Sequence, residues 1–286
     1  MDRIAIISAA DIRQHATRAL ALDAIRQALI DITGQESEIY PVSIGRGAEA
    51  ESMVAIKAGI MGDENLVGVK VGSYWPGNRE RGLPSHGSTT LLLDPENGKP
   101  RALLNVGALN GLRTAAANAA ASDCLARADA QNLLVLGAGH QARCEIAAVR
   151  DIRAIRQVAI WSRSHDSAQD LAAELGRDVA SSVVEDLEAA VRAADIIVTV
   201  TPARTPLFPA SWVEPGTHLS AMGADRRGKQ ELDPDLFSRA RLFADHPPQS
   251  TEIGEFQHLG SDTAAAITAI GDVLKRRREG RQSPED

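Results

Sequence analysis

A glycine-rich turn between an apolar run and a helix-like segment is the strongest chemical signal in the sequence. Residues 133–136 are apolar and lead into the pattern G-x-G-x-x-A. The first glycine permits a tight turn, the second lets the backbone approach a pyrophosphate, and the following helix N-terminus binds the phosphates. We therefore expect a dinucleotide-binding loop here, the alternative being a tight turn without a cofactor. The loop residues are Gly137, Gly139, His140, Gln141 and Ala142.

The end of the next predicted strand bears on the choice of dinucleotide. A site for NAD usually has Asp or Glu about 20 residues beyond the glycines, at the ribose 2′-hydroxyl. This sequence has Ser162 and Arg163 there, which suit a 2′-phosphate, so the pattern favours NADP and leaves NAD open. Thr201 ends a later strand where it would meet the cofactor, and the alternative is an ordinary strand-ending turn.

Three charged residues are candidates for substrate chemistry. Asp225 follows the predicted strand 217–222, at the sheet edge where ligands of α/β proteins bind. Lys70 alternates with valines in 67–71, and a buried lysine is costly unless it has a function. Arg113 opens an Ala-rich helix and has the geometry to bind a carboxylate through two nitrogens. Each has a structural alternative, namely a turn aspartate, a solvent-facing strand lysine and a helix-face arginine.

The first part of the chain predicts an α+β domain. Ser8 and Asp11 have the spacing of a capping box before one N-terminal helix. Short β-type runs separated by turn residues then predict an antiparallel sheet, with a strong turn signal at residues 94–98. The runs cover residues 52–56, 66–71, 88–93 and 101–106. An Ala-rich segment over residues 112–128 predicts a helix that connects two domains.

From Gln131 the sequence alternates between strand-like and helix-like runs, which indicates a doubly wound parallel sheet. The predicted fold is therefore α/β, with a Rossmann domain added to an α+β domain. We expect a substrate-binding and dimerisation domain over residues 1–120 and a dinucleotide-binding domain over residues 121–275. The polar segment 276–286 is expected to be loosely held.

Composition excludes several classes of function. The chain has 286 residues, 31 Lys+Arg against 38 Asp+Glu, and 3% aromatic residues, which argues against nucleic acid as a partner. We see no run long enough to span a membrane and no secretory leader, so we expect a cytoplasmic protein. Cys124 and Cys144 lack a paired Cys/His spacing, so no metal site is expected and both are interpreted as reduced thiols.

Taken in order, these motifs resemble the ornithine cyclodeaminase/mu-crystallin family from about residue 40 to residue 282. The motifs that carry the resemblance are residues 68–70, 112–116, 137–142 and 223–232. The resemblance implies a homodimer that binds an amino or imino acid beside a nicotinamide. It also implies that Arg46, Lys70 and Arg113 hold the α-carboxylate of the substrate. Asp225 would then act on the amine, the imine or an attacking water.

Residues 74–78 and 86–89 are similar to those of bacterial iminosuccinate reductases. This similarity implies that His86 and Ser88 bind a second carboxylate, the alternatives being a turn histidine and a strand-edge serine. The predicted function is NAD(P)H-dependent reduction of a small α-imino acid, with iminosuccinate to L-aspartate as the best candidate. Either Lys70 or Asp225 would keep the imine nitrogen protonated. The alternatives are an ammonia-releasing ornithine or lysine cyclodeaminase with bound NAD, and a non-catalytic NADP-binding protein.

Overall fold

The chain folds into two compact units, Met1–Arg113 and Thr114–Asp286, in a computed structural model. The structure describes residues 3–62, 65–176, 178–260 and 264–286. One unit contains an antiparallel sheet and the other a parallel sheet flanked by helices. The α/β fold class with a Rossmann-type sheet, which the sequence predicted, is confirmed.

A seven-stranded sheet forms the centre of the first unit. Its order is β1-β7-β6-β5-β4-β2, with β3 also paired to β4, and only the β1–β7 pair is parallel. The predicted antiparallel sheet is therefore confirmed. The strands are β1 (Ala5–Ile7), β2 (Glu38–Ile39), β3 (Ser43–Arg46), β4 (Met53–Met61), β5 (Leu66–Tyr74), β6 (His86–Leu93) and β7 (Pro100–Asn105).

Two helices follow β1, where the sequence predicted one. The Ser8 hydroxyl accepts a hydrogen bond from the backbone of Asp11, whose carboxylate accepts the Ser8 N–H, so the capping box is confirmed. That helix, α1 (Ala9–His15), ends at Ala16, whose extended backbone stops the helical run. A second helix, α2 (Arg18–Asp31), then begins after its own cap, Thr17. The single-helix prediction was wrong because two capping signals lie this close together.

The Ala-rich segment forms helix α3 (Leu109–Leu125), which contains the boundary between the two units. Its small residues Ala115, Ala116, Ala119 and Ala120 are all buried. Because alanine has high helix propensity and little volume, this helix packs closely against its neighbours.

The second unit contains a five-stranded, fully parallel sheet of order β10-β9-β8-β11-β12. The strands are β8 (Asn132–Leu136), β9 (Gln157–Trp161), β10 (Ala180–Val183), β11 (Ile196–Thr199) and β12 (His218–Ala221). The helices that connect them are α4 (His140–Ile152), α5 (His165–Leu175) and α6 (Leu187–Ala193). Further strands and helices in the described part of this unit are β13 (Phe243–Ala244), α7 (Pro247–Ile253), β14 (Thr268–Ala269) and α8 (Ile270–Leu274).

The core of this unit lies on both faces of the parallel sheet. Leu133 and Val135 of β8 pack on one face with Ile146 of α4, whereas Leu134 and Leu136 pack on the other. A strand that is buried on both faces has a continuous apolar sequence, as β8 does. Since all five strands run in the same direction, their carboxyl ends lie at one edge of the sheet, where ligands of such folds bind.

The segment 276–286 is anchored, contrary to the prediction that it is loosely held. The Arg281 guanidinium donates to the backbone carbonyls of Leu125, at 2.6 Å, and Gly216, at 3.1 Å. Asp286 accepts a hydrogen bond from Arg241. The polar composition was misleading because these arginines bind backbone carbonyls and a carboxylate rather than water.

Candidate cofactor and substrate sites

The glycine-rich loop joins β8 to α4, as the sequence predicted, and Gly137 is required by its geometry. Its φ is +125°, a backbone conformation that residues with a side chain rarely adopt. A Cβ at this position would lie 2.8 Å from the carbonyl oxygen of Val200. Gly137 is thus fixed by the fold of the turn, whether or not a ligand is bound.

Gly139 occupies its position for a different reason. It is the N-cap of α4, with φ −82°, and a Cβ there would meet no atom within 4 Å. No side chain caps the first N–H groups of the helix, which begins at His140 and Gln141. An uncapped N-terminus with open space before it binds anions, so these residues fit the pyrophosphate of a dinucleotide.

Ser162 and Arg163 directly follow β9, which pairs with β8 in the sheet. They therefore lie at the same edge as the glycine-rich loop. Arg163 is exposed, and the Ser162 hydroxyl accepts a hydrogen bond from the backbone of Ser164 at 3.3 Å. A hydroxyl and a guanidinium suit either a ribose or its 2′-phosphate, so this pair leaves both dinucleotides open.

Thr201 follows β11, but its hydroxyl hydrogen is directed into the protein. Its backbone N–H and its hydroxyl both donate to Glu231, at 2.6 and 2.7 Å. Glu231 also accepts from the hydroxyl of Thr199 and from the backbone of Gly223. This carboxylate is fully buried, and burial raises its pKa, whereas the four hydrogen bonds lower it. Glu231 therefore ties the end of β11 to the loop after β12.

Glu231 lies within the motif at residues 223–232, but nothing in the sequence predicts its role. A glutamate among polar loop residues gives no sign of burial, because its acceptor network depends on strands that are distant in the sequence. The signal that existed was Gly223, where a Cβ would lie 2.6 Å from the Glu231 carboxylate. A glycine beside a predicted ligand-binding aspartate indicates such a close approach.

Asp225 lies in the loop that follows β12, and 73% of its side chain is exposed. The ammonium of Lys229 lies 2.7 Å from an Asp225 carboxylate oxygen and also donates to the Gly223 carbonyl at 2.9 Å. Lys229 itself is 8% exposed, so the fold holds this cation in place. The arrangement presents a carboxylate to solvent in a defined position, as a substrate-binding group requires.

A second segment supports this loop from residues 254–258. Gln257 accepts a hydrogen bond from the backbone of Gly228 and donates to the carbonyls of Arg226 and Lys229. Glu255 accepts the backbone N–H groups of Glu231 and Leu232. The Asp225 loop is thus held by side chains that the sequence analysis did not assign.

In the first unit, the sheet register places four predicted substrate residues on one face. Arg46 pairs with Met53, which pairs with Tyr74, which in turn pairs with His86. Lys70 lies four residues before Tyr74 on β5, and Ser88 lies two residues after His86 on β6. Because successive residues of a strand point to opposite faces, these side chains share a face. They are Arg46, Lys70, His86 and Ser88.

Lys70 is part of a cluster of cations that the sequence did not fully reveal. Its direct cross-strand partner is Lys57, and like charges placed opposite each other are destabilising. Burial, together with the nearby charges of Arg113 and Lys57, lowers the pKa of Lys70 to about 8. A fold that gathers three cations at a partly buried place is suited to bind an anion such as a carboxylate. The sequence does not single out Lys57, because only the pairing of β4 with β5 places it opposite Lys70.

Ser88 and His86 differ in their freedom to contact a ligand. Ser88 is 8% exposed and accepts a hydrogen bond from the side-chain amide of Asn110 at 3.1 Å. His86 is exposed, and its ring packs against Tyr74 with a centroid distance of 4.7 Å. His86 is therefore the more accessible donor of the two.

Within the described residues, no group of three or more His, Cys, Asp or Glu side chains could hold a metal ion. A search of the same residues for a helix able to cross a membrane found none.

Comparison with known proteins identifies the family. The model of the ornithine cyclodeaminase/mu-crystallin family matches residues 5–286, and the chain therefore belongs to this family, as the motifs predicted. It is 35% identical over 245 residues to the iminosuccinate reductase of Paracoccus denitrificans (strain Pd 1222). That alignment covers 85% of this chain and 76% of the relative.

Solved structures agree with this assignment. The iminosuccinate reductase of Paracoccus denitrificans in complex with NAD+ matches with a TM-score of 0.92 and 32% identity, covering 99% of this chain and 89% of that chain. An archaeal alanine dehydrogenase dimer with bound NAD matches with a TM-score of 0.90 and 28% identity, covering 99% and 88% of the two chains.

Proposed function

We propose that this protein reduces a small α-imino acid to an L-amino acid with NADH or NADPH, and that iminosuccinate is its best candidate substrate. The observation that carries the proposal is the cation cluster of Lys57, Lys70 and Arg113, in a chain that also has an open dinucleotide loop. The similarity to an iminosuccinate reductase at 35% identity supports it.

The cofactor is held by the second unit in this proposal. The helix α4 N-terminus, with Gly137, Gly139, His140 and Gln141, binds the pyrophosphate through backbone N–H groups. Ser162 and Arg163 bind the adenosine ribose, where Ser162 suits the 2′-hydroxyl of NADH and Arg163 suits the 2′-phosphate of NADPH. The loop that contains Thr201 forms the adjacent wall of the site. A reduced nicotinamide bound there supplies the hydride.

Lys70 and Arg113 bind the α-carboxylate of the substrate, and Arg46 on β3 adds a further cation to the cluster. Both Lys70 and Arg113 lie among like charges, which attract a carboxylate and repel an iminium. They therefore orient the α-carbon rather than protonate the nitrogen. His86 and Ser88, on the same face as Lys70, donate to the second carboxylate of iminosuccinate.

Asp225 acts on the nitrogen. Its carboxylate balances the charge of a protonated imine, and this charge makes the imine carbon electrophilic. Lys229 fixes the orientation of Asp225 through their ion pair. The sequence left Asp225 and Lys70 as alternatives for this role, and the cations near Lys70 support the choice of Asp225.

The test is oxidation of NADH, and separately of NADPH, in the presence of ammonium and a panel of 2-oxo acids. The panel comprises oxaloacetate, pyruvate and glyoxylate, with cyclic imines added. We expect oxidation with oxaloacetate and ammonium, and the preferred dinucleotide identifies the cofactor. Ammonia release from ornithine or lysine, with no oxidation in the panel, would replace this proposal with a cyclodeaminase. Cofactor binding without any turnover would indicate a non-catalytic protein.

A homodimer formed through the first unit is part of the proposal. Ile6 is 78% exposed and pairs with Leu103, and Val71 and Ile56 form a second exposed apolar pair on the same face. This face is opposite to that of Lys70, so a second copy would bury it without covering the cations. The similar archaeal alanine dehydrogenase is a dimer.

Light scattering measures the oligomeric state. We expect the wild-type protein to be a dimer and Ile6→Asp to convert it to a monomer. A dimer that survives the substitution would place the interface elsewhere.

A further inference from the structure

A chain of hydrogen-bonded side chains runs through the second unit from the cofactor loop to β12. Gln141 donates to one carboxylate oxygen of Glu145 at 2.7 Å, and Asn118 donates to the other at 2.8 Å. The hydroxyl of Ser122 lies 2.9 Å from the Asn118 side-chain oxygen and 3.0 Å from Nε2 of His218. The proposed reaction uses none of these groups except Gln141.

The direction of each hydrogen bond follows from the ionised carboxylate. A carboxylate only accepts, so Asn118 turns its amide nitrogen to Glu145 and its oxygen to Ser122. The Ser122 hydroxyl donates its one hydrogen to that oxygen. The Ser220 hydroxyl also lies 3.1 Å from Nε2 of His218. If Nε2 carried no hydrogen, it would face the Ser122 oxygen at 3.0 Å with no hydrogen between the two atoms, even if Ser220 donated to it. Nε2 is therefore the donor, and the oxygens of Ser122 and Ser220 lie within reach of its hydrogen. The structure therefore corresponds to a neutral His218 with its hydrogen on Nε2.

Glu145 is the member of the chain that changes charge near neutral pH. Its side chain is fully buried, and burial raises its pKa to about 7 although the bonds from Asn118 and Gln141 lower it. Burial lowers the pKa of His218 to about 3, with a contribution from Arg281 and Arg153, so the imidazole stays neutral.

The charged groups around Glu145 are few among the described residues. Its own helix presents the Cys144 thiol and Arg143, and Arg143 is paired with Glu174 at the surface. Helix α3 presents the uncharged Asn118, and β12 presents His218 beyond Ser122.

We propose that Glu145 is a positioning residue for the cofactor loop, and that one proton on it reverses the hydrogen bonds of this chain as far as His218. The consequence for cofactor binding rests on the proposed function, because it requires that the loop containing Gln141 binds a dinucleotide.

The reversal conserves every hydrogen. A protonated Glu145 donates to Asn118, whose amide turns over and donates its N–H to Ser122. The Ser122 hydroxyl then donates to His218, so Nε2 must release its hydrogen while Nδ1 takes one up. The histidine remains neutral, and the net change is the one proton gained by Glu145.

The effect on the cofactor loop comes through Gln141. In the ionised state its amide donates to a charged acceptor, and such bonds are about twice as strong as neutral ones. Protonation makes Glu145 a neutral acceptor. Its hydrogen bond from Gln141 then weakens, and the side chain of Gln141 is held less firmly. NADH should therefore bind more weakly below the pKa of Glu145 than above it.

The direct test is 15N NMR of the histidine-labelled protein without cofactor, recorded from about pH 5.5 to about pH 8.5. The His218 signals are assigned by their loss in His218→Gln. We expect hydrogen on Nε2 at high pH and on Nδ1 at low pH, with a midpoint at about 7. One tautomer throughout this range would overturn the proposal.

The variant Glu145→Gln gives the second test. Its amide nitrogen donates to Asn118 while its oxygen accepts from Gln141, so it copies the protonated pattern at every pH. The Kd for NADH should fall about tenfold from low to high pH in the wild type, which corresponds to one unit of pKa difference between free and bound protein. In Glu145→Gln it should stay at the low-pH value.

Glu174→Gln is the matched control, since it removes a carboxylate that is paired with α4 at the surface. It should retain the wild-type dependence on pH. The same dependence in Glu145→Gln would contradict the proposal. A tautomer change in a protein that reduces no imine would leave this inference intact and reject the proposed function. Imine reduction without a tautomer change would do the opposite.

Discussion

The two units differ in how the charged groups near their proposed binding sites are balanced. In the second unit, backbone groups and buried carboxylates fix the loops, and Glu231 satisfies four donors without any ligand. In the first unit, Lys57 and Lys70 lie opposite each other on neighbouring strands and repel. The proposed cofactor site is thus held in place by hydrogen bonds within the protein, whereas the proposed substrate site contains like charges whose repulsion a bound carboxylate would relieve. This contrast predicts that substitutions in the two regions differ in their effects on binding, turnover and stability.

The largest effect is expected at Asp225, where chemistry and stability separate most clearly. Asp225→Asn removes the charge that faces the imine nitrogen, and turnover should fall about 10²–10⁴-fold. The asparagine oxygen can still accept a hydrogen bond from Lys229, so stability should change by no more than about 1 kcal/mol, and NADH affinity should be unchanged. Steady-state kinetics and NADH fluorescence titration measure the two quantities. Asp170→Asn, at an exposed position of α5, serves as the control. Near-wild-type turnover would exclude Asp225 from the reaction.

Arg113→Ala should act mainly on substrate binding. Removing one partner of a charged pair costs 2–5 kcal/mol, so KM should rise about 30-fold or more. Arg101→Ala is the matched control, because it removes an exposed arginine of β7 to which no substrate role is assigned. An unchanged KM for Arg113→Ala would remove this residue from the carboxylate site.

The two glycines of the cofactor loop should respond differently to alanine. Gly137→Ala forces a side chain into a positive φ and against Val200, so it should lower the free energy of unfolding by about 1–3 kcal/mol. Gly139→Ala has open space and should leave stability unchanged while weakening NADH binding. Thermal unfolding and NADH titration distinguish the two. A Gly139→Ala protein with full NADH affinity would show that phosphate does not approach this position.

Lys70→Met should stabilise the free protein by about 1 kcal/mol at neutral pH, after solvent screening of a partly exposed charge. The folded-state pKa of about 8 lies below the ordinary 10.5, so the unfolded state binds more protons between these values. Wild-type stability should therefore rise as pH increases through this window, and the variant should lack the rise. Denaturant unfolding at several pH values measures both. Lys99→Met, at an exposed position, should show neither effect.

The same titration predicts how substrate binding depends on pH. Lys70 is charged below about pH 8, so kcat/KM should decline above that pH as the ammonium is lost. A profile that is flat through this range would contradict the role given to Lys70.

The sequence predicted the elements whose signals are local. The β8–loop–α4 unit, the hairpins of the first unit and the capping box at Ser8 each depend on residues that are close in the chain, and all were confirmed. Strand β10, with two serines in four residues at the sheet edge, lacks an apolar signal and was missed.

The residues that support the sites were harder to predict because they depend on distant pairings. Lys57 acquires its importance only from the register of β4 with β5. Glu231 and Lys229 lie in the motif at residues 223–232, but their roles follow only from the folded loop. Glu231 anchors the ends of two strands, and Lys229 pairs with Asp225. The residues expected to contact ligands were thus easier to name than those that position them.

Transfer of a labelled hydride tests the central claim most directly. The protein is mixed with NADH or NADPH carrying deuterium at C4 of the nicotinamide, together with oxaloacetate and ammonium, and the amino acid product is examined by mass spectrometry and NMR. The account predicts L-aspartate with deuterium on its α-carbon from one of the two C4 epimers. Aspartate without deuterium from either epimer, or an unchanged cofactor, would contradict it.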